Sequence, residues 1–366
     1  MKVVFRTDAS LQMGSGHVMR CLTLAEALRK EGAECFFICR EHSGNLLDFI
    51  QSKRFEVFAL SSRDHVDTQV RRDGQLAHSG WLGATQAQDA KECESILEIL
   101  RPDWLVVDHY ALDARWEASL NNYFHNLLVI DDLADRKHTC NLLLDQNLGR
   151  TQQDYAGLVS DDCQVMAGAE YALLRPEFAR IREQSLEKRG ISVLQHVLIT
   201  MGGVDQANAT GAVLQSLKAC SLPSDCRISV VMGMKSPHLA LVEDVAASMA
   251  WPTEVLVNVM DMAERMASAD LIIGAAGSTS WERCCLGVPT IMVVLADNQR
   301  QGAEALLHSG SVVLIEQLQD IPARLPSAIL AVAQEGTLST MSENARKVSD
   351  GLGIDRVIKT MSERNG

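Results

Sequence analysis

The chain has 366 residues, 47% of them hydrophobic and 22% charged, which is enough apolar surface for two ordinary cores and too much for a disordered chain. Its formal net charge of −13 excludes a broad electrostatic grip on nucleic acid, so an anionic ligand has to be small and held by local dipoles and contacts. The opening residues lack a signal-type apolar stretch, no run approaches the ~18 residues that span a bilayer, and ten scattered cysteines form no CxxC pair or zinc-finger spacing. The expectation is a cytoplasmic protein without disulfides, metal, cofactor or membrane insertion. The sequence specifies no oligomeric state.

Taken in chain order, residues 3–5 read as a strand, and Gly14-Ser15-Gly16 as the turn into a helix with Val18, Cys21, Leu22, Ala25 and Leu28 at helical spacing. Residues 35–39 and 56–60 read as further strands, and the polar stretch 64–85 as a surface loop. A helix over 90–100 precedes a buried-type strand at 104–108, which ends in Asp108-His109-Tyr110. A helix near 112–124 leads to a strand at 127–131. The second half repeats the pattern, with strands at 197–201, 228–232, 255–257, 271–274, 290–295 and 312–315, and helices between them. The last helical stretches are 342–349 and 353–362. Alternating strands and helices imply βαβ units and parallel sheets. The expected fold is α/β, with two Rossmann-like domains facing a cleft: residues 1–185, residues 186–345, and a helical tail over 346–366 that packs on the first domain or stays apart. Open parallel sheets bind ligands beyond the carboxyl ends of their strands.

The glycines at 14 and 16 permit positive φ and close backbone approach, beside a helix N-terminus that attracts anions. A dinucleotide fingerprint needs a third glycine where Met19 stands, so NAD and FAD are disfavoured. His17 opens the helix, where the dipole disfavours the imidazolium. It is either a neutral base able to take a proton from water or a histidine bonded into the turn. Asp8, just past the first strand, is the expected holder of its tautomer. Three consecutive polar groups at Asp108, His109 and Tyr110 mark a strand end as a site, with Tyr110 placed to orient water or donate to a sugar.

The run Arg6-Thr7-Asp8-Ala9-Ser10, followed by Met13 through Arg20 and Cys21, resembles the opening of the UDP-2,4-diacetamido-2,4,6-trideoxy-β-L-altropyranose hydrolases of pseudaminic acid biosynthesis. The resemblance continues at 108–110, at Asp131-Asp132, over 167–178, at Met201-Gly202-Gly203 and at Gly277-Ser278-Thr279. It spans residue 3 to about 310. It implies the glycosyltransferase-B fold shared with MurG-type transferases and hydrolysis of a UDP-linked diacetamido-trideoxy sugar destined for flagellin or another surface glycan. His17 is then the catalytic base, with Asp8 and Tyr110 assisting it. Gly14, Gly16, Arg20, Asp108 and His109 line the sugar side.

Gly202, Gly203, Asp205 and Asn208 follow the first strand of the second half. Asn208 is either a helix N-cap or, as the resemblance implies, a substrate contact. Gly277, Ser278 and Thr279 suit a diphosphate, and Glu282 suits the ribose hydroxyls, which the corresponding glutamate of glycosyltransferase-B relatives holds. Asp261 and Met262 are expected to border the uracil. Two other readings are a glycosyltransferase of the same fold and a nucleotide-sugar sensor without catalysis.

Overall fold

A computed structural model describes residues 1–62, 76–189, 194–234 and 236–364. The chain divides into two units, Met1–Leu173 together with the C-terminal helix, and Leu174–Leu352.

In the first unit the strands are β1 (Lys2–Thr7), β2 (Glu34–Arg40), β3 (Glu56–Leu60), β4 (Trp104–Asp108), β5 (Asn126–Ile130), β6 (Leu142–Asp145) and β7 (Gln164–Ala167). Its helices are α1 (Gly16–Lys30), α2 (Leu47–Ser52), α3 (Gln86–Leu100) and α4 (Ala114–Leu120). The strands form one parallel sheet in the order β3-β2-β1-β4-β5-β6-β7, with Thr7 beside Asp108 in the β1–β4 register. Strand order therefore reverses between β1 and β4, the place where open sheets take ligands. After Lys2, both strands run apolar and buried until polar residues appear at the carboxyl end, Arg6 and Thr7 in β1 and Asp108 in β4, as helix-covered parallel strands require.

In the second unit the chain runs through α5 (Pro176–Lys188), β8 (His196–Thr200), α6 (Ala209–Leu217), β9 (Arg227–Met232), α7 (Leu239–Ala247), β10 (Thr253–Val257) and α8 (Met262–Ser268). It continues through β11 (Leu271–Ala275), α9 (Thr279–Cys285), β12 (Thr290–Val293), α10 (Arg300–His308), β13 (Val312–Ile315), α11 (Ile321–Val332) and α12 (Thr337–Ala345). The parallel order β10-β9-β8-β11-β12-β13 reverses between β8 and β11.

Three features differ from the sequence expectation. The units divide at Leu173, before α5 and not at residue 185, because α5 is tied to the second unit by side chains: Arg182 donates to the Cys285 and Ser349 carbonyls, and Ser185 donates to the Leu286 carbonyl at 2.8 Å. Two short strands, β6 and β7, extend the first sheet. The expected loop over 64–85 lies partly outside the described residues, but its end is ordered. Ser79–Leu82 forms a 3-10 turn whose Leu82 enters the core, and Thr85 and Gln88 close a capping box on α3.

The last helix, α13 (Gly353–Arg364), belongs to the first unit. Ile354, Val357 and Met361 lie three or four residues apart on one face and join the core that contains α1. Met361→Ala should therefore cost about 2–5 kcal/mol of stability in urea unfolding. A loss under about 0.5 kcal/mol would contradict this docking.

Candidate functional site

The turn after β1 is held by Ser10. Its carbonyl accepts the Gly14 N–H at 2.8 Å, and its hydroxyl accepts the Met13 N–H at 3.0 Å. Gly14 has φ +78°, a left-handed conformation that favours glycine. This turn starts α1 at Gly16 and sets His17 and Arg20, three residues apart, on one helix face.

Both side chains converge on Asp108 at the end of β4. His17 Nδ1 lies 2.6 Å from Asp108 Oδ1. Arg20 grips the same carboxylate twice, from Nε to Oδ2 at 2.6 Å and from Nη2 to Oδ1 at 2.7 Å. Arg20 Nη1 reaches Asp132 Oδ2 at 2.7 Å, and the Tyr110 hydroxyl donates to that oxygen at 2.6 Å. Burial alone would raise the Asp108 carboxyl. Arg20 and His17 override it and hold the group well below the ordinary carboxylate range. The ionised Asp108 requires a proton on His17 Nδ1. The longer 3.3 Å approach of Arg20 Nη2 to the same nitrogen does not compete with that bond. Nε2 then carries the lone pair, and among the described residues it has no hydrogen-bond partner.

Tyr110 packs edge-on against His17, with ring centroids 4.5 Å apart. Burial and Asp132 push its hydroxyl well above the ordinary value, so it remains a donor, and that proton is engaged by Asp132. Trp81 stacks on Tyr110 at 5.9 Å and His78 lies 5.4 Å from the same ring. His78 and Trp81 are site neighbours that motif reading passed over, and Asp132, matched within Asp131-Asp132, was given no role there. Asp132 alone carried a signal, since it follows β5 at the sheet edge that Asp108 occupies.

Asp8 does not hold His17. It pairs with Arg6 at 2.7 Å, accepts the Arg40 N–H at 2.6 Å, and faces His109 Nε2 at 3.3 Å. Alternate residues of a strand share a face, so Asp8 follows Arg6, which in turn binds Asp89 of α3 at 2.6 Å. His109 goes the same way. Its Nδ1 accepts the Ala111 N–H at 3.0 Å and its ring is buried away from Asp108.

In the second unit, Gly202 (φ +93°) and Gly203 follow β8. Asp205 and Asn208 serve as caps: Asp205 accepts the Ala209 and Thr210 N–H groups at 2.8 and 2.9 Å, and Asn208 Oδ1 accepts the Gly211 N–H at 3.2 Å. These oxygens cap the start of α6, the N-cap reading of Asn208. Gly277, Ser278 and Thr279 form the turn from β11 into α9, and the Ser278 side chain makes no capping bond. Glu282 projects from the first turn of α9, 3.6 Å from Arg175, and burial raises its carboxyl despite that guanidinium. Asp261 precedes α8, accepts from Arg265 at 2.8 Å and is half exposed, with Met262 next to it. Among the described residues no group of His, Cys, Asp and Glu is arranged to hold a metal ion, and no helix is long and apolar enough to cross a membrane.

Residues 196–357 match the glycosyltransferase family 28 C-terminal domain. The UDP-2,4-diacetamido-2,4,6-trideoxy-beta-L-altropyranose hydrolase of Campylobacter jejuni is 26% identical over 85% of this chain and 97% of its own. An uncharacterized protein of Methanocaldococcus jannaschii is 22% identical over 87% of this chain, which spans only 61% of that protein. The crystal structure of MurG from Acinetobacter baumannii superimposes with a TM-score of 0.71 and 16% identity over 99% of both chains. The fold is thus the MurG-like glycosyltransferase-B type, and the resemblance read from the opening motif extends over most of the chain.

Asp8 and Asp108 both titrate below the unfolded carboxylate value of about 3.9. Each contributes stability that is complete above that value and lost as pH falls through the folded value. Urea unfolding should therefore show stability declining below about pH 5. Asp8→Asn should be less stable at pH 7 by about 1–3 kcal/mol and should decline less steeply in acid. An unchanged slope would contradict the burial of a charged Asp8.

Proposed function

We propose that the chain hydrolyses a UDP-linked sugar, releasing UDP and the free sugar, with a diacetamido-trideoxy hexose as the sugar. The observation that carries this reading is the His17–Asp108 pair: a carboxylate-fixed imidazole whose second nitrogen has no partner among the described residues. Its support from similarity is the Campylobacter jejuni hydrolase, matched over 97% of its length.

In this reading His17 Nε2 takes a proton from water as the water oxygen attacks the anomeric carbon. The bond from that carbon to the diphosphate oxygen breaks, and the electron pair leaves with UDP. A single displacement inverts the anomeric centre. UDP is a good leaving group, so one base suffices where glycosidases use two carboxylates. Two carboxylates, Asp108 and Asp132, share one guanidinium, so the cluster is one positive charge short, and the imidazolium formed at His17 supplies it. Asp108 thereby both fixes the tautomer and stabilises the protonated ring, as the carboxylate of a catalytic triad does. Arg20 acts through Asp108. The Tyr110 hydroxyl is engaged by Asp132, so Tyr110 contributes its ring face and not a proton. In the second unit, the Gly202-Gly203 and Gly277–Thr279 turns would take the diphosphate, Glu282 the ribose hydroxyls, and the segment at Asp261 and Met262 the uracil.

A second reading, transfer of the sugar to an acceptor hydroxyl, is favoured by the family 28 domain match and the MurG-like fold. Turnover in oxygen-18 water separates the two. Hydrolysis puts the label in the free sugar without any acceptor, and consumption only with an acceptor would contradict hydrolysis. His17→Asn keeps a polar side chain but accepts no proton, so kcat should fall about 10²–10⁴-fold with UDP affinity little changed. A folded variant with near-normal kcat would remove His17 from the mechanism.

A further inference from the structure

Arg283 of α9 is 1% exposed, yet among the described residues no carboxylate lies within ion-pair distance of it. Glu282, its neighbour in sequence, faces Arg175 instead. Arg283 Nη2 donates to the Ala275 carbonyl at 2.6 Å and to the Ser280 hydroxyl at 2.8 Å, while Nε and Nη1 are buried with no partner. Burial lowers the guanidinium to about 10.

Its position is specific. A side chain at Gly274 would run into Arg283 Nη1, and its Cβ would lie 3.0 Å from the Thr200 carbonyl oxygen. Gly274 and Thr200 are paired at the carboxyl ends of β11 and β8, so the guanidinium lies at the reversal of strand order, beside both glycine turns. Ser280 extends the contact, since its hydroxyl donates to the Gly277 carbonyl at 2.6 Å. A buried cation without a counter-ion costs free energy. Here it also requires a glycine at 274 to make room. An anion bound at the carboxyl ends of β8 and β11 would offset that cost, because Coulomb attraction is weakly screened at a buried site.

We propose that Arg283 is the buried countercharge for the ligand's diphosphate. It does not touch the ligand: it holds the 274–280 segment through Ala275 and Ser280 and supplies positive potential at the carboxyl ends of β8 and β11. This rests on the reading above that a nucleoside diphosphate binds in the second unit.

Calorimetry with UDP, uridine and inorganic pyrophosphate tests the proposal on the full chain, using Arg283→Met and Arg283→Gln. Glutamine keeps a donor for Ala275 without the charge, so it carries the test if the methionine variant does not fold. UDP and pyrophosphate affinity should each fall about tenfold or more in the neutral variants, and uridine affinity should be unchanged. Unchanged UDP affinity would overturn the proposal. So would a parallel loss of UDP and uridine binding with a lower melting temperature, which marks a merely structural role. A wild-type chain that binds pyrophosphate but not UDP would refute the nucleotide reading and leave the Arg283 test intact on pyrophosphate. A wild-type chain that binds neither would overturn both.

Discussion

A carboxylate with no access to water has to find compensation within the protein, and Asp108 finds it in the Arg20 charge and the His17 N–H. That requirement orders the whole edge of the first sheet. Arg20, made by burial as dependent on anions as Asp108 is on cations, needs Asp132 as its second partner. Asp132 then engages the Tyr110 hydroxyl, and the Tyr110 ring abuts His17. Removing one charge from such a set leaves the others unpaired, a loss on the order of 3–5 kcal/mol. The geometry of His17 is therefore as rigid as the charge pairing behind it.

The two units use one topology for different chemistry. Each sheet reverses its strand order between its first strand and the strand that pairs on that strand's other side, β1 with β4 and β8 with β11. In the first unit the reversal collects acids around a histidine. In the second it collects glycine turns beside a buried arginine and, among the described residues, brings no acid into contact with it. The first arrangement suits proton removal and the second suits an anion.

Much of this was legible in the sequence. Strands buried on both faces read as apolar runs, so β1, β4, β8 and β11 stood out. β6 and β7, four residues each, were not separated from the loops around them. His17 was legible because a histidine after a glycine turn is unusual chemistry at a ligand-binding edge. The choice between Asp8 and Asp108 as its partner was not, because both follow strands and only the face each occupies separates them. Asn208 and Asp205 show the same limit: a capping residue and a ligand contact have the same composition, and the competition is decided by which N–H groups lie in reach. The place of α13 depends on where the chain returns, and an amphipathic pattern alone does not carry that.

The central claim is that Asp108 fixes the His17 imidazole with its proton on Nδ1 and its lone pair on Nε2. Nitrogen-15 NMR of the ring, above the pH at which it is protonated, reads the tautomer directly. The account predicts a protonated Nδ1 with its proton shifted downfield by the short bond to Asp108, and an unprotonated Nε2. A ring protonated at Nε2 would contradict it, since that nitrogen could then take no proton from water.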